Sequence, residues 1–379
     1  MMQKLFVVIA IVLLGALASC SKEEEPKKED PIVNLPPYNP TFVDLNQLVP
    51  LHLPRIQIPA DNPTTVEGIA LGRQLFYEPL LSRNGTQSCG SCHNQAFAFT
   101  DNGLRVSVGI DGIAGNRNSM QIVNAGLRRS LFWDGRSRNL EEQALEPINN
   151  PIEMHETWTR AADKLNQIKA YREMSYLAFG EVFLDSMLMT KAIAQFERSL
   201  ISGNSKFDKW KRGEVQLTPQ ETFGRQLFMR DREEIKDAQG NIIQIIPGAD
   251  CFHCHGEITD FSDELFHNNG LDEVFVDQGR FDVTNNDFDR GKFKTPSLRN
   301  VEFTGPYMHD GRFKSLDEVI DFYSEGLKFS PTIDPLMKNV SIGGVRLNPD
   351  EKAALKAFLL TLSDEDFLTN PDFGPPPPL

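Results

Sequence analysis

Basic residues are in short supply in this chain. Lysine and arginine total 39 against 53 aspartates and glutamates, a formal net charge of -14 over 379 residues. That balance argues against nucleic acid as a partner and favours a basic protein, where a charged protein partner exists. Long hydrophobic runs are also missing. The longest, Leu5 to Leu17, is too short to span a membrane comfortably. Alternating strand-like runs are scarce, which points to a mainly α protein. What is present suffices for real cores: 40% of the residues are hydrophobic, and the length suits two ordinary domains.

The short apolar run follows Lys4 and ends in Leu17-Ala18-Ser19-Cys20. Small residues ahead of a cysteine resemble the lipobox of bacterial lipoproteins. Residues 1–19 would then be a signal peptide and Cys20 the lipidated residue. A plain secretory signal with a chance cysteine is the alternative. Residues 20–40, opening "CSKEEEPKKEDP", are expected to be a tether. The expected location is the cell envelope, lipid-anchored to a membrane and facing the periplasm or the outside. The Pro-rich tail, 369–379, ends in "GPPPPL" and is expected to be extended.

Only five cysteines occur. Beyond Cys20 they form two pairs, Cys89/Cys92 and Cys251/Cys254, each followed at once by a histidine, His93 or His255. The chain also repeats itself. "GRQLF" stands at Gly72–Phe76 and Gly224–Phe228, ahead of each pair, and "NAGLRRSLFWDGRSRNLEE" from Asn124 aligns without a gap with "NVEFTGPYMHDGRFKSLDE" from Asn300. Two related domains are expected, at 41–215 and 216–368. The second carries an extra "DREEIKDAQGNIIQIIPGAD", expected to be a loop. Met189, Ile193, Phe196 and Leu200 share one helical face, as do Leu355, Phe358, Leu359 and Leu362 after an Asn348-Pro349 start.

Cys-x-x-Cys has three common uses. Zinc needs four ligands, and paired knuckles usually lie about 15–20 residues apart; here most of a domain intervenes. A redox dithiol expects a βαβ setting, which the pattern lacks. Covalent c-type haem needs the histidine directly after the second cysteine, and both copies have it. Two covalently bound haems c are therefore expected, on Cys89, Cys92 and His93 and on Cys251, Cys254 and His255. An iron with a vacant face can do peroxide chemistry, whereas a six-coordinate one passes electrons.

"CGSCH…FTDNGLRVSVG…FWDGRSRNLEEQALEPINNPIEM" and "CFHCH…FHNNGL…FKTPSLRNVEFTGPYMHDGRFKSLDEVIDFY" resemble the bacterial di-haem cytochrome c peroxidases and their MauG-type relatives. The resemblance runs from about residue 65 to 365. It implies two cytochrome c-like domains, a peroxidatic N-terminal haem, an electron-transfer C-terminal haem and a calcium ion between them. The peroxide-side glutamate falls on Glu153, the pocket glutamine on Gln143 and the inter-haem tryptophan on Trp133. The calcium position falls on Asn118, Thr304 and Pro306. Many of the peroxidases carry a capping histidine after "VSLG". Here Ile110 stands in "VSVGIDG", and isoleucine cannot ligate iron. The peroxidases' distal methionine falls on Tyr323, with Met308 and Met337 as rival ligands. Both departures bring the resemblance nearer the MauG-type members.

Each of these residues also has an ordinary role open to it. Glu153 could be a surface acid, Gln143 a solvated helix residue, and Trp133 and Tyr323 core aromatics. The expected activity is reduction of hydrogen peroxide at the open N-terminal haem. Glu153 would move protons, Trp133 would relay oxidising equivalents, and a small redox protein such as a cytochrome c or cupredoxin would supply electrons. The alternatives are MauG-like oxidation of a partner protein and a non-enzymatic di-haem electron carrier. The family often forms homodimers, so a homodimer is a further expectation from the resemblance.

Overall fold

The computed structural model describes residues 35–101 and 103–379. The expected signal peptide, Cys20 and most of the tether lie outside the described residues. The helices are α1 (Val66–Phe76), α2 (Cys89–Cys92), α3 (Leu140–Asn149), α4 (Trp158–Asn166), α5 (Lys169–Phe179), α6 (Ser186–Ser199), α7 (Lys206–Lys211), α8 (Pro219–Phe228), α9 (Phe281–Thr284), α10 (Leu316–Glu325), α11 (Pro349–Leu360) and α12 (Glu365–Thr369). Strands are few: β1 (Glu233–Lys236) pairs antiparallel with β2 (Ile242–Ile246), and β3 (Phe266–His267) with β4 (Phe293–Lys294). No described helix is long and apolar enough to cross a membrane.

The internal repeat is a repeat of structure. Thr65 caps α1 by accepting from the Gly68 N–H, and a Thr218/Glu221 capping box opens α8. Each of these helices crosses a later one at its glycine. A Cβ on Gly72 would stand 1.9 Å from the Ala192 carbonyl of α6, and one on Gly224 would stand 1.9 Å from the Ala354 carbonyl of α11. Only glycine admits backbone so close. Asn124 and Asn300 both take left-handed φ, 53° and 55°, and each opens a 3-10 turn. Asn139 and Ser315 then cap α3 and α10.

Two main cores result. In the first, Met189 and Ile193 of α6 pack against Leu71 and Leu75 of α1, and Phe196 and Leu200 join Phe76 and Phe99 in an adjoining cluster. In the second, Leu355, Phe358 and Leu359 of α11 with Leu362 pack against Leu227 and Phe228 of α8. The predicted helical faces are thus the buried ones. The chain ends cross between the cores. Phe207 of α7 lies in the second core against Phe228, Phe261 and Phe358, whereas Phe367 of α12 packs on Phe99 in the first. The tail lies along α1: Arg73 Nε donates to the Gly374 carbonyl at 2.7 Å and the Tyr77 hydroxyl to that of Phe373 at 2.8 Å. Residues 37–379 accordingly form one compact unit.

One expectation is corrected. The insertion ahead of Cys251 is the β1–β2 hairpin, not a loop. Its strands leave Ile242, Ile243 and Ile245 exposed. Backbone pairing and a turn at Asp237–Gly240, where the Gly240 N–H donates to the Asp237 carbonyl, hold it.

Candidate active site

Two cavities sit in the two halves, and each receives one Cys-x-x-Cys-His. Cys89, Cys92 and His93 line the first; Cys251, Cys254 and His255 line the second. The pairs therefore face separate spaces and do not share one metal. None of the four thiols is in a disulfide. Burial pushes the Cys89, Cys92 and Cys251 thiols well above the ordinary range, Cys92 to about 11. Thiols held protonated are poor redox nucleophiles, since that role needs the thiolate.

The histidines are oriented identically. His93 Nδ1 bonds the Phe99 carbonyl at 2.8 Å, and His255 Nδ1 bonds that of Phe261 at 2.8 Å. A strained turn makes this possible: Ala98 and Phe99 have φ of 52° and 60°, Asp260 and Phe261 of 59° and 56°. With Nδ1 engaged as donor, Nε2 is the nitrogen left to face the cavity and ligate. Burial pushes both imidazoles below their usual pKa, which favours the neutral, ligating form. Both donor sets therefore fit a covalently attached haem with a histidine on one face.

Beyond these residues the cavities differ. The first, about 480 Å³, is also lined by Gln143, Glu153 and Trp133. Three carboxyls line it, Asp134, Glu153 and Glu197, and burial raises the Glu197 pKa to about 8. Burial raises the Glu153 pKa, opposed first by a hydrogen bond from Asn150, whose Nδ2 donates to Glu153 Oε1 at 2.6 Å. Val108 and Gly109 line this cavity. Ile110 is not among its lining residues, and its N–H donates to the Glu153 carbonyl at 3.0 Å. The second cavity, about 250 Å³, is lined by Tyr323, Met308 and Met337 together. The Asn269 amide donates to the Tyr323 hydroxyl at 2.9 Å and contacts the Met308 sulfur at 3.8 Å. Burial pushes the Tyr323 phenol far up, so a phenolate there needs a cation beside it.

Trp133 belongs to both linings. It is 9% exposed, and its Nε1 donates to the Asn118 carbonyl at 2.8 Å. The β4 residue Lys294 shares that wall, with its N–H on the Trp133 carbonyl at 2.8 Å. Asn118, Thr304 and Pro306 all line the second cavity. The Asn118 Nδ2 donates to the Leu104 and Arg105 carbonyls at 3.3 and 3.1 Å, which leaves Oδ1 as the atom a hard cation would use.

His267 lines the second cavity too, but both its nitrogens are engaged, by Asp334 at 2.6 Å and Asp263 at 2.8 Å. These carboxylates, with Cys254, hold its pKa up to about 11 against burial. His52 and His253 pair with Asp208 and Asp231.

Residues 66–216 match the family model described as di-haem cytochrome c peroxidase. The methylamine utilization protein MauG of Methylorubrum extorquens is 34% identical, over 81% of each chain. The cytochrome c551 peroxidase of Nitrosomonas europaea is also 34% identical, over 84% of this chain and 85% of that one. The chain belongs to the di-haem cytochrome c peroxidase family.

The fold comparison agrees. A crystal structure of a MauG-like protein associated with microbial copper homeostasis superposes with a TM-score of 0.74 at 34% identity, over 91% of this chain and 99% of that one. Membership makes the protein a peroxidase-type oxidoreductase and implies c-type haem. Sequence reasoning did not single out Asn150 or Asn269. The signal for each was proximity, Asn150 in "NNPIE" and Asn269 in "FHNNGL".

Proposed function

We propose that the protein binds two haems c and reduces hydrogen peroxide at the first, with electrons passing through the second. The observation that carries this reading is the contrast between linings. The first cavity has a half-buried carboxyl and an amide, Glu153 and Gln143, and Ile110, which is outside its lining, offers no ligand to close it. The second gathers three candidate ligands, Tyr323, Met308 and Met337, of which we take Tyr323 as the residue that would hold the iron.

When bound, the haem iron supplies the two electrons' worth of redox chemistry at the peroxide. The protein's residues supply the rest. Glu153 takes the proton from the oxygen that binds and returns one to the oxygen that leaves. Gln143 offers an amide to orient the peroxide. Trp133, in the shared wall, is the path for electrons between the sites. Asn118, Thr304 and Pro306 would hold calcium beside that wall. The domain boundary near 215/216, the lipid anchor on Cys20, the envelope location and a small redox donor complete the proposal.

Rapid mixing of the fully oxidised holoprotein with peroxide tests it. The expected result is direct reaction without prior reduction. A strict requirement for one-electron reduction would overturn the open-site reading. The similarity to MauG proteins supports a second destination for the oxidising equivalents, a residue of a partner protein. A donor screen separates the two: turnover with a small redox protein supports scavenging, and turnover only with a protein substrate supports the MauG-like role.

A further inference from the structure

We propose that Asn150 is the positioning residue of the peroxide site, holding one oxygen of Glu153 and leaving the other to the cavity. This rests on the reading of Glu153 given above. The geometry fixes the amide. Asn150 Oδ1 accepts from the Ile152 N–H at 3.1 Å, so Nδ2 must be the group that donates to Glu153 Oε1 at 2.6 Å. Both residues line the first cavity. Among the described residues, Oε2 of Glu153 has no protein partner.

Backbone bonds hold the turn independently of this side chain. The Asn150 N–H closes α3 on the Glu146 carbonyl at 3.0 Å, and its own carbonyl accepts from the Glu153 and His155 N–H groups, each at 3.0 Å. From the other side, a Cβ on Gly109 would stand 2.1 Å from the Ile152 carbonyl, so the neighbouring loop boxes the turn in. Truncating the Asn150 side chain also frees the Ile152 N–H, but the backbone bonds still hold the turn.

The chemistry follows from what an amide N–H can do. It donates and never accepts, so it favours the charged carboxylate and takes no part in carrying the proton. Burial drives Glu153 towards the protonated form, and the Asn150 bond is the largest effect against it. Arg136 lowers and Glu146 raises the Glu153 pKa as well, each by less than Asn150 does, so Asn150 makes the main adjustment to the pH at which Glu153 becomes a base. It also fixes which oxygen does the work.

The test uses oxidised holoprotein of wild type, Asn150→Ala, Asn150→Asp and Glu153→Gln. The Glu153 carboxyl is titrated by infrared difference against Glu153→Gln, without peroxide, and the pH profile of peroxide capture is recorded beside it. In Asn150→Ala the carboxyl midpoint should rise by about one pH unit, and the acid limb of capture should rise with it. Asn150→Asp keeps the shape of the cap but sets carboxylate against carboxylate, so its midpoint should rise further. It also serves if the alanine variant folds poorly. An infrared midpoint that stays put or falls in either variant overturns the proposal. Full peroxide capture by Glu153→Gln would instead overturn the catalytic reading of Glu153, and the infrared midpoints would still decide the role of Asn150.

Discussion

After the first Cys-x-x-Cys-His the turn runs Ala98-Phe99, and it shares an apolar cluster with Val123. After the second, the same turn runs Asp260-Phe261, and the residue matching Val123 is Arg299. Both settings are fully buried. Arg299 bonds Asp260 and also Asp208 of α7, at 2.8 and 2.9 Å. Arg128 bonds Asp260 and Glu264, and Lys294 bonds Glu264 at 2.6 Å. One backbone device, a left-handed turn that puts a carbonyl on the histidine, is thus supported by packing in one half and by an ion cluster in the other. The cluster reaches across: Asn124 Nδ2 donates to Asp260 Oδ1 at 3.0 Å, and Lys294 lies in the wall shared with Trp133. The ion cluster thus ties the second turn to Asn124, Arg128 and Asp208 of the first half.

The largest effect should come from removing one attachment site at a time. Replacing Cys89 and Cys92 by alanine should lower haem content from two to one per chain and abolish peroxide turnover, with the electron-accepting haem retained. The Cys251/Cys254 pair should also lower it to one but leave a site that still captures peroxide. Pyridine haemochrome assay with turnover measurement checks both, and an identical loss of capture in the two variants would break the distinction.

Next in size is Glu153→Gln, which should slow peroxide capture by about 10²–10⁴-fold. The pH sign is definite. Burial holds the Glu153 pKa above its usual 4.5, and the base must be deprotonated, so wild-type capture should climb as pH rises through that raised pKa and then level off. The variant's profile should be flat over the same range.

A smaller effect separates the two turns. Arg299→Met removes one cationic partner from each of Asp208 and Asp260, which keep His52 and Arg128 respectively, and should cost about 3–5 kcal/mol. Val123→Ala removes only two methyl groups and should cost markedly less. Denaturant melts of the two holoproteins give the comparison, and equal losses would show that the ion cluster adds nothing to the second turn.

Much of this was legible in the chain. The Cys-x-x-Cys-His pairs carry their chemistry locally, and the repeated Asn and Asp-Gly-Arg positions recur as matching turns and caps. The hairpin was not legible because it buries neither face. Ile242 to Ile245 are exposed, so no alternation of apolar and polar residues marks the strand. The exchange of Phe207 and Phe367 between cores was hidden too, since a single buried aromatic on a short helix does not say which core receives it. Asn150 was invisible because its role depends on a side chain three residues away across a turn, a distance that sequence spacing does not resolve into a bond. Counting along the family motif favours Tyr323 over its rivals Met308 and Met337, and all three line one cavity.

The central claim is that the two iron sites differ in having an open and a filled second face. Electron paramagnetic resonance of the fully oxidised, two-haem protein tests it most directly. The account predicts one high-spin and one low-spin ferric signal in equal amounts, with the high-spin signal lost on peroxide addition and absent from the Cys89/Cys92 variant. Two low-spin signals that ignore peroxide would contradict it.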